Sequence, residues 1–170
     1  GHNYTYRPYM KGALAQGRGR FFGVGATSRS PGYFLSYALR QGSRTLGVAT
    51  VKINLDAAEH EWAAQPGHTL VSDERGVVIL SSRPQWKFST LRPLTAAERA
   101  QVLDEKPYSA DPPLVPWVQA DAQPRSGEKV LVDGQMHLVT ALALPTQRWH
   151  MQALDPMAPA QARARNSALV

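Results

Sequence analysis

Arg7, Lys11, Arg18, Arg20, Arg29, Arg40, Arg44 and Lys52 place eight cations in the first 55 residues of this 170-residue chain, with no Asp or Glu among them. Guanidinium and ammonium groups without carboxylates nearby in sequence require an anion from elsewhere. Tyr4, Tyr6, Tyr9, Thr27, Ser28, Ser30, Tyr33, Ser36 and Tyr37 are interleaved with them. Cations mixed with hydroxyl donors can hold a carboxylate or a phosphate by charge-assisted hydrogen bonds. All 13 acidic residues lie from Asp56 onward, beside the other 11 of the chain's 19 Lys and Arg, so the net charge of +6 belongs to the first segment.

Other chemistries find little support. The chain has no cysteine, so thiolate zinc sites and disulfide frameworks are excluded, and the compartment is left open. His2, His60, His68, His137 and His150 show no metal-ligand spacing and read as surface or packing residues. Gly17-x-Gly19 and Gly23-x-Gly25 do not open a strand, loop and helix that would cradle a phosphate. A Gly-x-Ser-x-Gly elbow is absent, so a serine hydrolase has no footing. No catalytic residue, metal or cofactor is expected. No apolar run approaches the roughly 18 residues needed to span a bilayer, and Gly1-His2-Asn3 is not a signal sequence. With 43% hydrophobic residues the chain can bury a core as one ordinary domain or two small ones.

The elements that must position these groups come in two cycles. Pro8 suits the first turn of a short helix over Met10 to Ala15, which Gly17 and Gly19 end. Three runs rich in aromatic and β-branched residues follow, Arg20 to Thr27, Tyr33 to Leu39 and Thr45 to Ile53. Turn clusters at 28–32 and 40–43 separate them, and such short connections argue for an antiparallel meander. Strand alternation puts Val48, Thr50 and Lys52 on one face of the third run. Asp56 can cap a helix that ends before Pro66-Gly67. The second cycle opens with a hairpin over Thr69 to Ser82 that turns at Gly76. A helix follows from Thr95, with Glu98 as its capping-box partner. Pro107, Pro112, Pro113 and Pro116 make residues 106–116 an extended connector. Three strands are expected over Lys129 to Val132, Gln135 to Ala143 and Trp149 to Leu154, and a last helical stretch over Pro159 to Ala168. Strand, strand, helix, connector and three strands is the order of a PAS-like or Cache sensor module. The first cycle shows only the final three strands of that plan.

Four stretches carry a family resemblance: Asn-Tyr-Thr-Tyr-Arg-Pro-Tyr (3 to 9), Gly-Ala-Thr-Ser-Arg-Ser-Pro-Gly-Tyr-Phe-Leu-Ser-Tyr (25 to 37), Gly-Val-Ala-Thr-Val-Lys (47 to 52) and Asp-Glu-Arg-Gly-Val-Val-Ile-Leu-Ser-Ser (73 to 82). Together, in this order and spacing, they resemble the periplasmic region of the C4-dicarboxylate sensor histidine kinases, the DctB family, over nearly the whole chain. The resemblance implies an α+β fold of tandem PAS-like/Cache modules with central antiparallel sheets. Residues 1–55 would be the C-terminal half of the membrane-distal, ligand-binding module, which would lack its N-terminal side. Residues 56–155 would form the membrane-proximal module, and 156–170 a helix leading toward the membrane.

Carried over by position, Arg7 resembles the arginine that pairs with one ligand carboxylate, and Lys52 the lysine that pairs with the other. Thr27 and Ser28 resemble the hydroxyl and backbone donors that complete the carboxylate site, and Tyr4 a phenolic donor. Tyr9 and Tyr33 are secondary candidates, as pocket walls. The physical reading agrees, since a guanidinium is a planar bidentate fork and an ammonium a compact point charge. The implied protein is a periplasmic part of a bacterial inner-membrane kinase that binds succinate, fumarate or malate, is not itself catalytic, and dimerises through an upstream helix. Two alternatives remain: a basic single-stranded nucleic-acid binder, suggested by the interleaved Tyr and Arg, and a Cache sensor for another small anion. The favoured reading has no nucleic-acid partner. An amino-acid ligand would need a carboxylate for its ammonium, and residues 1–55 supply none.

Overall fold

The computed structural model describes residues 3–25, 31–105, 108, 112–117, 123–144 and 147–157. They form two compact units, divided between Leu55 and Asp56, with the position around Tyr108 grouped with the first.

The first unit is one helix on a three-stranded sheet. Helix α1 spans Pro8–Gln16, with proline at its first position and Gly17 at its C-cap in the left-handed conformation, φ 82°. There the Gly17 amide donates to the Ala13 carbonyl at 2.9 Å, a helix end that glycine adopts without a Cβ clash. Strands β1 (Arg18–Val24), β2 (Pro31–Gln41) and β3 (Arg44–Ile53) follow as an antiparallel meander. The second glycine, Gly19, lies inside β1 and does not help to end the helix. A Cβ there would stand 1.9 Å from the Tyr9 carbonyl oxygen, so its missing side chain lets the helix rest on the strand. The Ser36 hydroxyl donates to that same carbonyl at 2.6 Å. Tyr9 and Ala13, four residues apart on one helix face, are both buried.

The second unit is a five-stranded antiparallel sheet. It comprises α2 (Asp56–Ala63), β4 (His68–Ser72), β5 (Val78–Ser81), a 3-10 turn over Pro84–Trp86 that the sequence did not signal, α3 (Ala96–Glu105), β6 (Lys129–Val132), β7 (Gln135–Leu144) and β8 (Trp149–Pro156). The sheet order is β5-β4-β8-β7-β6, so the last strand pairs with the first of the unit. In the β4-β5 hairpin, Asp73 Oδ1 accepts from the amides of Arg75 and Val77, at 2.9 and 3.1 Å. The expected capping box forms: the Glu98 amide donates to Thr95 Oγ1 and the Thr95 amide to Glu98 Oε2. The hydrogen bond from Arg92, then those from Thr95, pull the Glu98 carboxyl down to about 2. Leu70, Val78, Trp86, Leu91, Val130, Val132, Val139 and Leu154 make the core, and Trp117 packs against it.

The proline-rich connector differs from expectation at its end. Leu114 and Thr90 donate to the carbonyls of Phe88 and Val115, and Trp117 donates to that of Thr90. Residues 114–117 thus pair like a short strand, because Pro116 sits where its missing N–H is not needed. The helix expected over 159–168 lies outside the described residues. Among the described residues no helix is long and apolar enough to cross a membrane.

Candidate anion-binding site

Arg7 is the N-cap residue of α1, in extended conformation, and no side chain caps the helix there. Its amide donates to the Tyr4 carbonyl at 3.0 Å, and its carbonyl accepts from Met10 and Lys11, both at 3.0 Å. The backbone of Arg7 is therefore fixed on both sides. Its half-buried side chain reaches the end of β1, where Nη2 donates to the Val24 carbonyl at 2.5 Å. Nε is buried and has no hydrogen-bond partner among the described residues. The guanidinium lies over three rings, Phe21 at 5.5 Å, Tyr9 at 5.9 Å and Tyr6 at 6.0 Å. Aromatic faces attract a cation without cancelling its charge, and they displace its water.

Lys52 pairs with Phe34 in the β2-β3 register, and its Nζ stands 6.0 Å from the Phe34 ring centroid. Phe34 in turn stacks on Tyr9, with centroids 4.9 Å apart and planes at 6°. Each cation is therefore next to one member of a single stacked pair of rings, Arg7 next to Tyr9 and Lys52 next to Phe34. Arg7 is itself the N-cap of α1, whose first turn carries no acidic residue, so the partial positive charge of the helix end adds to that of Arg7. Chemically the arrangement suits an anion with negative charge at both ends, one for a planar fork and one for a point charge.

The expected site residues fare differently. Arg7, Tyr9 and Lys52 come together through the ring stack. Tyr4 is half-buried at the head of the turn that holds the Arg7 amide. Tyr33 does not join them: it pairs with Phe22 and Ile53 and, by strand alternation, lies on the sheet face opposite Phe34 and Lys52. Thr27 and Ser28 lie outside the described residues. Arg18, Arg20, Arg40 and Arg44 are exposed on strands and their ends. Sequence reasoning missed Phe34, Phe21 and the Val24 carbonyl. Alternation could have put Phe34 on the Gly32 and Ser36 face, but only register shows that Lys52 is opposite it.

The second unit contains its own counter-charges. Lys87 meets Glu59 at 2.6 Å, Arg92 meets Glu98 at 2.6 Å, Arg148 meets Glu74 at 3.1 Å, and Arg83 pairs with Asp133. Its buried His137 lies 5.2 Å, ring to ring, from His68. Burial, then the charge of Arg83 and the neighbouring His137, lower the pKa of His68. Among the described residues no three His, Asp or Glu side chains are placed to hold a metal ion.

Helices set on central antiparallel sheets, with a cation-lined site on one of them, define a sensor domain of the PAS-like/Cache class. The ligand-binding domain of the Pseudomonas fluorescens chemoreceptor CtaA, solved with L-isoleucine, shares the fold: TM-score 0.61 and 16% identity over 96% of this chain and 62% of that one. The V. cholerae histidine kinase DctB sensor domain superposes with a TM-score of 0.77 and 28% identity, over 92% of this chain and 62% of that one. The C4-dicarboxylate transport sensor protein DctB of Rhizobium meliloti strain 1021 is 30% identical along the whole chain. Its namesake in Pseudomonas aeruginosa PAO1 is 44% identical over 111 residues, 65% of the chain. No protein-family model matches. The chain belongs to the DctB family of C4-dicarboxylate sensors and corresponds to part of its sensor region. It spans 18% and 28% of the lengths of these two curated relatives.

Proposed function

We propose that the chain is the periplasmic sensing part of a two-component histidine kinase anchored in a bacterial inner membrane, and that its first unit binds a C4-dicarboxylate, succinate, fumarate or malate, between Arg7 and Lys52. The observation that carries this reading is the pair of cations that each neighbour one ring of the Tyr9 and Phe34 stack, in a unit that has no carboxylate. In this reading residues 1–55 belong to the membrane-distal module, 56–155 form the proximal module, and 156–170 lead toward the membrane. The part described binds and does not catalyse; the kinase chemistry belongs to the rest of the protein, which acts as a homodimer. Thr27 and Ser28 complete the carboxylate site, and Tyr4 supplies a phenolic donor.

Two fixed cations recognise a dianion well because each desolvated charge pair is short and directional, and because a zwitterion would bring an ammonium toward one of them. Ligand acts as a signal only through a difference in affinity between two states of the protein. Calorimetric titration of succinate into the protein in its native sequence context tests the reading. Binding is expected, and Arg7→Ala is expected to weaken it about a hundredfold, the loss that follows removal of one partner of a buried charge pair. Heat from a single-stranded oligonucleotide and none from succinate would replace this reading with nucleic-acid binding. Heat from citrate alone would keep the sensor and change its ligand.

A further inference from the structure

Gly32 lies on β2 two residues before Phe34, on the same face, and opposite Gly23 of β1. Its backbone is outside the left-handed region, so no dihedral angle demands glycine there. Space does. A Cβ at this position would stand 2.4 Å from Lys52 Cε and 3.0 Å from Lys52 Cγ, and 3.1 Å from the Ile53 carbonyl oxygen. The aliphatic stem of Lys52 thus lies across the bare Cα of Gly32, and its ammonium emerges 6.0 Å from the Phe34 ring.

We propose that Gly32 is the positioning residue for Lys52: the absence of its side chain seats the lysine stem and sets where the ammonium stands relative to Arg7. The inference rests on the dicarboxylate reading and adds a determinant of ligand span to it. A lysine has four flexible bonds, and holding its stem before ligand arrives removes part of the ordering cost of binding. The atoms closest to the missing Cβ belong to a movable side chain. Adding a methyl therefore displaces Lys52 while Ile53 yields by a few tenths of an ångström, and the sheet survives.

The test is Gly32→Ala, in the protein in its native sequence context, alone and combined with Lys52→Met. Alone, it should weaken succinate binding about tenfold by misplacing one charge, with the thermal midpoint close to the parent's. In the Lys52→Met background the same change should have almost no effect, which a merely structural role would not give. The rate at which an N-hydroxysuccinimide ester acylates Lys52, read by mass spectrometry against Lys11, should change in Gly32→Ala without any ligand present. Unchanged succinate affinity and unchanged Lys52 acylation in Gly32→Ala would overturn the proposal, and so would an equal loss of affinity in both backgrounds. If instead Lys52→Met binds succinate as the parent does, the dicarboxylate reading fails, while the acylation rate still reports whether Gly32 seats the lysine.

Discussion

In the second unit Lys87 is 2.6 Å from Glu59 and Arg92 is 2.6 Å from Glu98, whereas in the first unit Arg7 meets a backbone carbonyl and three aromatic rings. The same residue types are used for different ends. An ion pair within the chain satisfies both charges and fixes local structure, as when Arg92 and Thr95 together hold Glu98 at the start of α3. A cation laid on rings keeps its charge and its unmet N–H groups available. Desolvation makes such a cation more costly when empty and more strongly attracted to a carboxylate when one arrives. The buried Nε of Arg7, without a hydrogen-bond partner among the described residues, marks this difference at the level of one atom, since buried donors are nearly always satisfied.

The contrast can be broken from either side. Removing the carboxylate from the second unit should have the largest effect. Glu59→Ala strands Lys87, whose side chain is only 20% exposed, and deprives the Ser81 amide of its acceptor. A loss of about 2 kcal/mol in unfolding free energy is expected for such a half-buried pair. Urea denaturation measures it, and succinate affinity should not move if the two units use charge independently.

Supplying the first unit with a carboxylate is the converse experiment. Thr50 is exposed and shares a strand face with Lys52 two residues on. Thr50→Glu would set a carboxylate beside Lys52 and repel an incoming dianion, with an expected loss of about tenfold in succinate affinity. Thr50→Gln is the neutral control and should bind as the parent does.

The smallest effect concerns acid. The His68 pKa lies below its ordinary value of 6.5 because of burial, the Arg83 charge and His137, with Asp133 opposing them. The unfolded chain therefore takes up this proton at a higher pH than the folded one. The stabilising contribution is complete above about pH 6.5 and is lost as pH falls through the folded-state value. Thermal midpoints should decline as pH falls below about 6.5, and His68→Gln should flatten that decline. A slope unaffected by His68→Gln would mean that the second unit's charge balance depends on other groups.

Much of the architecture was legible because local signals and packing agree. Pro8 and Gly17 bracket α1, Thr95 and Glu98 start α3, and Asp73 with Gly76 turns the β4-β5 hairpin, each through interactions that span only a few residues. Gly19 was misread because its requirement is tertiary: a glycine that admits a helix onto a strand looks, in sequence, like one that ends a helix. The pairing of residues 114–117 with 88–90 was hidden by prolines that normally exclude strands. Tyr33 and Phe34 are adjacent aromatics that sequence chemistry cannot rank, and the strand pleat turns one toward Lys52 and the other away.

Composition by itself determined that the first 55 residues carry cations without carboxylates, the pattern on which the proposed preference for a dianion over a zwitterion rests. Four family stretches in order then pointed to Arg7 and Lys52. Tertiary structure decided how these two are joined. The β2-β3 register sets Lys52 opposite Phe34, and the seat of α1 on Gly19 brings Tyr9 onto Phe34 and Arg7 beside Tyr9. The physical reason is that strand side chains alternate with period two. Slipping by one residue would turn Lys52 to the other face and leave every composition count unchanged.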